Sequence, residues 1–252
     1  MRVLVTFAVD AEFAPWRRQH KFQKLNGGAV DVYSSQIGNA EVCVLLTGIG
    51  CRKAWVQATR VLWPGDVDIC ISSGFAGSLR PAHLPGDILA AREVRAQIPG
   101  VTLRCDEPLV ELATDCGAKP VGAFLTNDHV VVEATQKRLL GIEADAVEME
   151  SASVLSEAAA FGARSVAIRA ISDSVGEDLP INFNRITSKS GDVDIFRVFG
   201  EIMALKLTGG LSFIRFFRQT RQARENLAAF LSQYVERVAQ ISGVVQRKVA
   251  AR

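Results

Sequence analysis

The sequence predicts an α/β fold in which a mixed central sheet is covered by helices on both faces, and three observations carry that prediction. Short apolar runs alternate with helix-period segments from the N-terminus to about residue 175. A hairpin, Tyr33 to Val44 around the turn Ile37-Gly38-Asn39-Ala40, interrupts this alternation and adds an antiparallel pair. The 252 residues are 48% hydrophobic and 22% charged, which is enough to pack a sizeable core.

Each element follows from local pattern. Arg2–Val9 is an apolar run and reads as the first strand, and Asp10 and Glu12 close it too early for a signal-peptide core. Asp31–Ser35 and Glu41–Leu46 are the arms of the hairpin. Arg52–Leu62 has helical spacing and follows the glycine turn Thr47-Gly48-Ile49-Gly50. Val67–Ser72 is a strand that runs into a second turn, Ser73-Gly74-Phe75-Ala76-Gly77. Asp87–Glu93 and Ala123–Leu125 read as strands, with helices at Leu109–Cys116 and Thr135–Leu140. The small-residue helix Ser151–Phe161 leads into the strand Ser165–Ile171. Asp178–Asp194, with Pro180 and Gly191, reads as a loop before helical patterns at Ile195–Leu207 and Phe213–Val238. With no internal repeat and no clear linker, residues 1–252 read as one domain ending in a basic amphipathic segment at about 197–252.

Composition excludes several classes. The five cysteines (Cys43, Cys51, Cys70, Cys105, Cys116) are scattered, without the spacing of a metal knuckle or redox pair, so no metal is expected. No run approaches the roughly 18 apolar residues of a membrane span, and a cytoplasmic protein is expected. Residues 197–252 hold ten Lys or Arg against three Asp or Glu in a chain whose net charge is +2. That local excess is too confined to imply a nucleic-acid partner.

The chemistry concentrates where elements end. Both glycine turns follow strands, the position at which open α/β sheets bind ligands, though a tight connection alone also explains them. Neither fits G-x-G-x-x-G or a phosphate-binding P-loop, so no nucleotide cofactor is implied. Glu12, just past the first strand, is placed either to activate a water or to favour the positive end of the following helix. Glu150 lies at the mouth of the Ser151 helix, where one carboxylate can accept from both hydroxyls of a diol. Met149 beside it offers a soft apolar surface, and Glu148 reads as helix-start charge. Asp173 follows Arg169-Ala170-Ile171-Ser172. It reads either as an acid that assists a departing base or as part of a turn or cap, and Arg169 is available to pair with a site carboxylate. Acids at element ends suggest cleavage of the bond between a ribose and a base.

In this order, Glu12, Thr47-Gly48-Ile49-Gly50, Ser73-Gly74-Phe75-Ala76-Gly77, Pro85-Gly86-Asp87-Ile88, Val147-Glu148-Met149-Glu150 and Arg169-Ala170-Ile171-Ser172-Asp173 resemble the purine nucleoside phosphorylase/nucleosidase superfamily. Within it they are closest in pattern to methylthioadenosine/S-adenosylhomocysteine nucleosidases. The resemblance implies a three-layer α/β/α sandwich around a twisted mixed sheet, no metal or organic cofactor, and a homo-oligomer, with a dimer favoured. It further implies that Glu12 activates water, that Glu150 with Met149 binds the ribose, and that Asp173, steadied by Ser172, acts as general acid at the purine. Gly50 belongs to the site through the first glycine turn.

The chain also departs from the family. Phe75 stands where small-substrate nucleosidases tend to have Ser, and Val130 where an aromatic residue commonly stacks on adenine, leaving backbone bonds around Val131 to hold the base. The arginine that holds phosphate in phosphorolytic relatives aligns near Ser72 and is missing, with Arg52 as an alternative anion contact. Hydrolysis of a purine nucleoside is therefore favoured over phosphorolysis, with phosphate kept as an alternative co-substrate. Lys206 to Arg224 contains no acid and interleaves Phe213, Phe216 and Phe217 with Arg215, Arg218, Arg221 and Arg224. This segment reads either as a core-packing helix or as a peripheral membrane contact. The tail and Val147–Ser151 resemble the hopanoid-associated branch, which implies a lipid-linked nucleoside as an alternative substrate.

Overall fold

The computed structural model describes residues 1–25, 30–62, 65–96, 100–180 and 210–249. Its elements run β1 (Arg2–Phe7), α1 (Asp10–Gln19), β2 (Gln23–Lys24), β3 (Val32–Ile37), β4 (Ala40–Leu46), α2 (Cys51–Leu62), β5 (Ile69–Ser72), β6 (Phe75–Ser78), β7 (Ile88–Ala96) and β8 (Thr102–Arg104). They continue through α3 (Glu107–Asp115), β9 (Lys119–Thr126), α4 (Ala134–Leu140), β10 (Ala146–Glu148), α5 (Ser151–Ala160), β11 (Arg164–Asp173) and α6 (Gly210–Val249). The expected helix Ile195–Leu207 and the loop beyond Pro180 lie outside the described residues.

The strands form one mixed sheet in the order β2-β3-β4-β1-β5-β11-β6-β10-β9-β7-β8. Alternation along β1 sorts the layers. Val3, Val5 and Phe7 meet Phe13 and Trp16 of α1, together with α3 and α6, on one face. Leu4 packs on the other face with Ala54, Ala58 and Leu62 of α2 and Val154 and Ala158 of α5. The expected hairpin is present, with Ile37 opposite Ala40 and Gly38 at φ +55°.

β11 gives the sheet a feature that the sequence pattern did not show. Its first half, Arg164–Ala167, pairs with β5, and its second half, Ala170–Asp173, pairs with β6. On its other side it pairs with β7. Because β6, β10, β9 and β7 are also joined in turn, this half of the sheet closes into a ring. β6 itself corrects the reading of Ser73–Gly77 as a tight strand-to-helix turn, since Phe75–Ser78 is a strand. It was illegible because glycine and alanine carry no strand period.

α6 settles one of the two readings of the basic segment in part. Ala223, Leu227, Leu231, Tyr234, Val235 and Val238 recur at helical spacing and are buried in the main core. The Tyr234 hydroxyl donates to the Leu109 carbonyl at 2.9 Å. The anchoring therefore comes from residues 223–239. The aromatics expected to anchor it, Phe216 and Phe217, are only half-buried, and the Phe213 side chain lies outside the described residues. Arg215, Arg218 and Arg221 stay exposed. Among the described residues, no helix is long and apolar enough to cross a membrane.

Candidate active site

The site is built around β6 and the two glycines that flank Phe75 and Ala76. Glu12 sits in the first turn of α1 and folds back on the strand end it has just left. One carboxylate oxygen accepts from the Ala8 and Val9 amides at 2.9 and 3.2 Å, and the other from the Phe75 amide at 2.9 Å. The residue that stabilises the helix start, one of its two readings, is thus also held against the second glycine segment. A Cβ on Gly74 would lie 3.0 Å from Glu12 Oε1, and Gly74 has φ +144°. Only glycine combines that conformation with so close a carboxylate.

Gly77 has the matching role for Asp173. β11 carries a bulge between Ile171, opposite Ala76, and Asp173, opposite Gly77. The extra residue, Ser172, re-aims Asp173 over the glycine. A Cβ on Gly77 would come 3.1 Å from Asp173 Oδ2. The Ser172 hydroxyl donates to Asp173 Oδ1 at 2.6 Å. Asp173 is therefore neither a turn residue nor a cap, since it lies within the strand that was expected to stop at Ile171.

Glu150 precedes α5 and is joined to the first glycine turn. Its Oε1 accepts from the Gly50 amide at 2.9 Å, and its Oε2 lies 4.0 Å from Arg169 Nη2. Burial and the neighbouring Glu148 charge push the Glu150 carboxyl up to about 8. Burial raises the Glu12 carboxyl as well, opposed by its amide bonds and by Arg169. Met149 is half-buried, and its carbonyl accepts from the Cys51 thiol at 3.1 Å.

Glu148 requires a correction. It is more than helix-start charge: its side chain is buried, it accepts from the Glu150 and Ser151 amides and the Thr126 hydroxyl, and it pairs with Arg169 at 2.5 Å. Burial disfavours its charged form, but Arg169 and these donors hold its carboxyl below the ordinary range. Arg169, 1% exposed, also donates to Ser151 at 2.8 Å and to Ser72 at 3.3 Å. A buried guanidinium thus pairs with a glutamate whose carboxyl it holds down and lies 4.0 Å from one that burial pushes up.

The other expected residues fall around this centre. Phe75 is half-buried against the core and pairs with Ala170 of β11. Val131 is buried with Leu79 and Val147, and Val130 beside it is half-buried. Arg52 is exposed on the first turn of α2 and is not drawn into the carboxylate cluster. Lys137 was missed. It is fully buried and pairs with Asp173 Oδ2 at 2.5 Å. A signal was available, because Ala134, Lys137 and Leu140 share one face of α4 and a charge there interrupts an apolar stripe. Among the described residues, no cluster of His, Cys, Asp and Glu suits a metal ion.

Gly74→Ala gives a direct check on this geometry. The strained backbone should cost about 1–3 kcal/mol, read by chemical denaturation. Displacement of Glu12 should lower turnover more than that destabilisation accounts for.

Comparison with solved structures gives the same fold. The chain superposes on the Campylobacter jejuni 5′-methylthioadenosine/S-adenosyl homocysteine nucleosidase with a TM-score of 0.71 at 20% identity, covering 94% of this chain and 99% of that one. Native futalosine hydrolase of Helicobacter pylori gives 0.71 at 19% identity, covering 94% and 98%. The Neisseria meningitidis 5′-methylthioadenosine/S-adenosylhomocysteine nucleosidase, solved with methylthio-immucillin-A, gives 0.70 at 21%, covering 93% and 98%. The Phosphorylase superfamily model matches residues 2–203. With that match spanning most of the sequence and the fold agreeing throughout, the chain belongs to the phosphorylase superfamily.

Proposed function

We propose that the enzyme hydrolyses the N-glycosidic bond of a purine ribonucleoside with a modified 5′ group, releasing adenine. The observation that carries this reading is the pair of carboxylates set against one short strand, Glu12 over Gly74 and Asp173 over Gly77. Three residues of extended chain span at most about 10 Å, so the two backbone positions lie within the length of a nucleoside. Hydrolysis with a bound water also needs a gap of that order between acid and base. Glu12 deprotonates the water, Glu150 accepts from the ribose hydroxyls beside Met149, and Asp173 protonates the purine as its bond to the sugar breaks. Val130 and Val131 border the base and Phe75 and Gly50 the sugar, while Arg52, exposed at the start of α2, stands outside the carboxylate cluster.

Phosphorolysis is less well supported. Ser72, where an arginine would hold phosphate, is bonded to Ser151 and Arg169, and Arg52 is exposed. A homodimer and contact of the exposed α6 arginines with an anionic membrane belong to the same reading. Sedimentation and liposome binding test them. Adenine release from a panel of 5′-substituted adenosines tests the reaction itself. Nucleoside bound tightly but left intact would replace the enzyme with a purine-binding protein.

The reading fixes the pH dependence. A diol is held best by an ionised Glu150, whose carboxyl sits at about 8, and Glu12 must also be ionised to act as base. Both groups titrate above the ordinary carboxylate range, so kcat/KM should rise with pH and level off only above about 8. In Glu148→Gln the charge that raises Glu150 is gone, and the same limb should move to lower pH. A wild-type limb at ordinary carboxylate pH would contradict the assignment.

A further inference from the structure

We infer that Lys137 is a positioning residue that holds Asp173 and resupplies its proton, so that the acid of this site is a lysine–aspartate pair; this rests on the proposed hydrolysis. Asp173 as a lone general acid leaves a gap. Both of its oxygens already accept hydrogen bonds, Oδ2 from Lys137 at 2.5 Å and Oδ1 from Ser172 at 2.6 Å. With both oxygens engaged as acceptors, the proton that the carboxyl passes to the base has to come from a donor beside it.

Lys137 has the proton. Its ammonium is fully buried and spends its three donors on Asp173 Oδ2, the Ser174 carbonyl at 3.2 Å and the Glu177 carbonyl at 2.9 Å. The two carbonyls hold the nitrogen against the carboxylate. They come from the stretch just after β11, so the chain leaving Asp173 wraps back to hold its partner. That stretch is itself tied to α4, since Asp178 accepts from the Ala134 amide at 2.7 Å and the Leu179 amide donates to the Val132 carbonyl at 2.9 Å.

The other charges on the elements that pack here have other partners or face solvent. Glu177 takes Arg215 of α6 at 2.8 Å, Asp178 caps α4, and Glu133 and Arg138 of α4 are exposed. Lys137 is therefore the cation in contact with Asp173 among the described residues.

The step balances within this pair. One Nζ–H bond breaks and its proton passes to the Asp173 carboxylate along the existing hydrogen bond, leaving a neutral amine and a carboxylic acid. The acid gives the proton to a ring nitrogen of the purine while the C–N bond breaks with its electron pair going to the base. Water activated by Glu12 supplies the new bond at the sugar carbon. The base leaves neutral, Asp173 is again a carboxylate, and once the product has gone Glu12 releases to solvent the proton it took from the water while the amine takes one from solvent. Moving one proton inside a buried ion pair creates no new charge.

The test separates leaving-group protonation from folding. Lys137→Met and Lys137→Gln, the second keeping an amide donor if the first is unstable, are compared with wild type on a purine nucleoside and on 4-nitrophenyl β-D-ribofuranoside. The phenolate of the latter departs without an acid. In both variants kcat on the purine nucleoside should fall by about 10²-fold or more, with KM within a few-fold, while the nitrophenyl rate is largely kept. Equal loss on both substrates would make Lys137 merely structural, and no loss on either would make it idle; either result overturns the inference. A wild type that turns over neither substrate refutes the hydrolase reading and the inference with it. That outcome is distinct from an active wild type whose variants show no selectivity.

Discussion

Asp173→Asn should lower kcat for adenine release by about 10²–10⁴-fold, the range that a positioned general acid supplies, with little change in KM. An asparagine keeps the volume and one acceptor, so Ser172 and Lys137 can still be partly satisfied and the bulge at Ser172 stays in place. The proton for the leaving base cannot pass through an amide. Purine departure builds negative charge on the ring, so the loss appears in the chemical step. Steady-state kinetics on wild type and variant measure it, with thermal unfolding as a control for the fold. A variant within a few-fold of wild type would remove Asp173 from the reaction.

Arg169→Met should be the most destabilising single change in the site. Arg169 is 1% exposed and pairs with Glu148 at 2.5 Å, and its loss leaves a buried carboxylate with no cation. Breaking a buried pair from one side costs about 3–5 kcal/mol, which for a chain of this length corresponds to a fall in Tm of roughly 6–20 °C. The electrostatics amplify the effect. Arg169 also opposes the upward push on both Glu12 and Glu150, so without it three carboxylates crowd one pocket. The variant should therefore be least unstable at low pH, where those groups are neutral. Glu148→Gln in the same background should recover part of the stability by removing the orphaned charge. Calorimetry on the single and double variants checks both, and a single variant within 1 kcal/mol of wild type would contradict the account.

Much of this was legible in the chain, for identifiable reasons. β1, β4 and β11 are runs of Val, Ile and Leu long enough to announce themselves, and the hairpin at Gly38 carries its own turn residues. Glu12, Glu150 and Asp173 were visible because each stands where such a run ends. What escaped was long-range. β6 and β10 are short and owe their existence to neighbours supplied by β11 and β9. The closure of the sheet depends on β11 pairing on both sides, which no local window contains. Glu148 looked like ordinary helix-start charge because its partner Arg169 is brought in by the fold. Lys137 drew no reading because it is a single lysine in a short helix, although its face is the apolar one. The basic segment was read from its charges, while its anchoring residues, Ala223 to Val238, lie largely beyond them.

The central claim is that water is the nucleophile at the sugar of a purine nucleoside. It is tested most directly by incubating the full chain with 5′-methylthioadenosine in phosphate-free buffer made with ¹⁸O-water, and analysing both products by mass spectrometry. The account predicts free adenine and an equimolar sugar carrying one ¹⁸O at its anomeric carbon, with release suppressed in Glu12→Gln. Unchanged nucleoside across the 5′-substituted panel, or release that appears only with phosphate and yields a sugar phosphate, would contradict it.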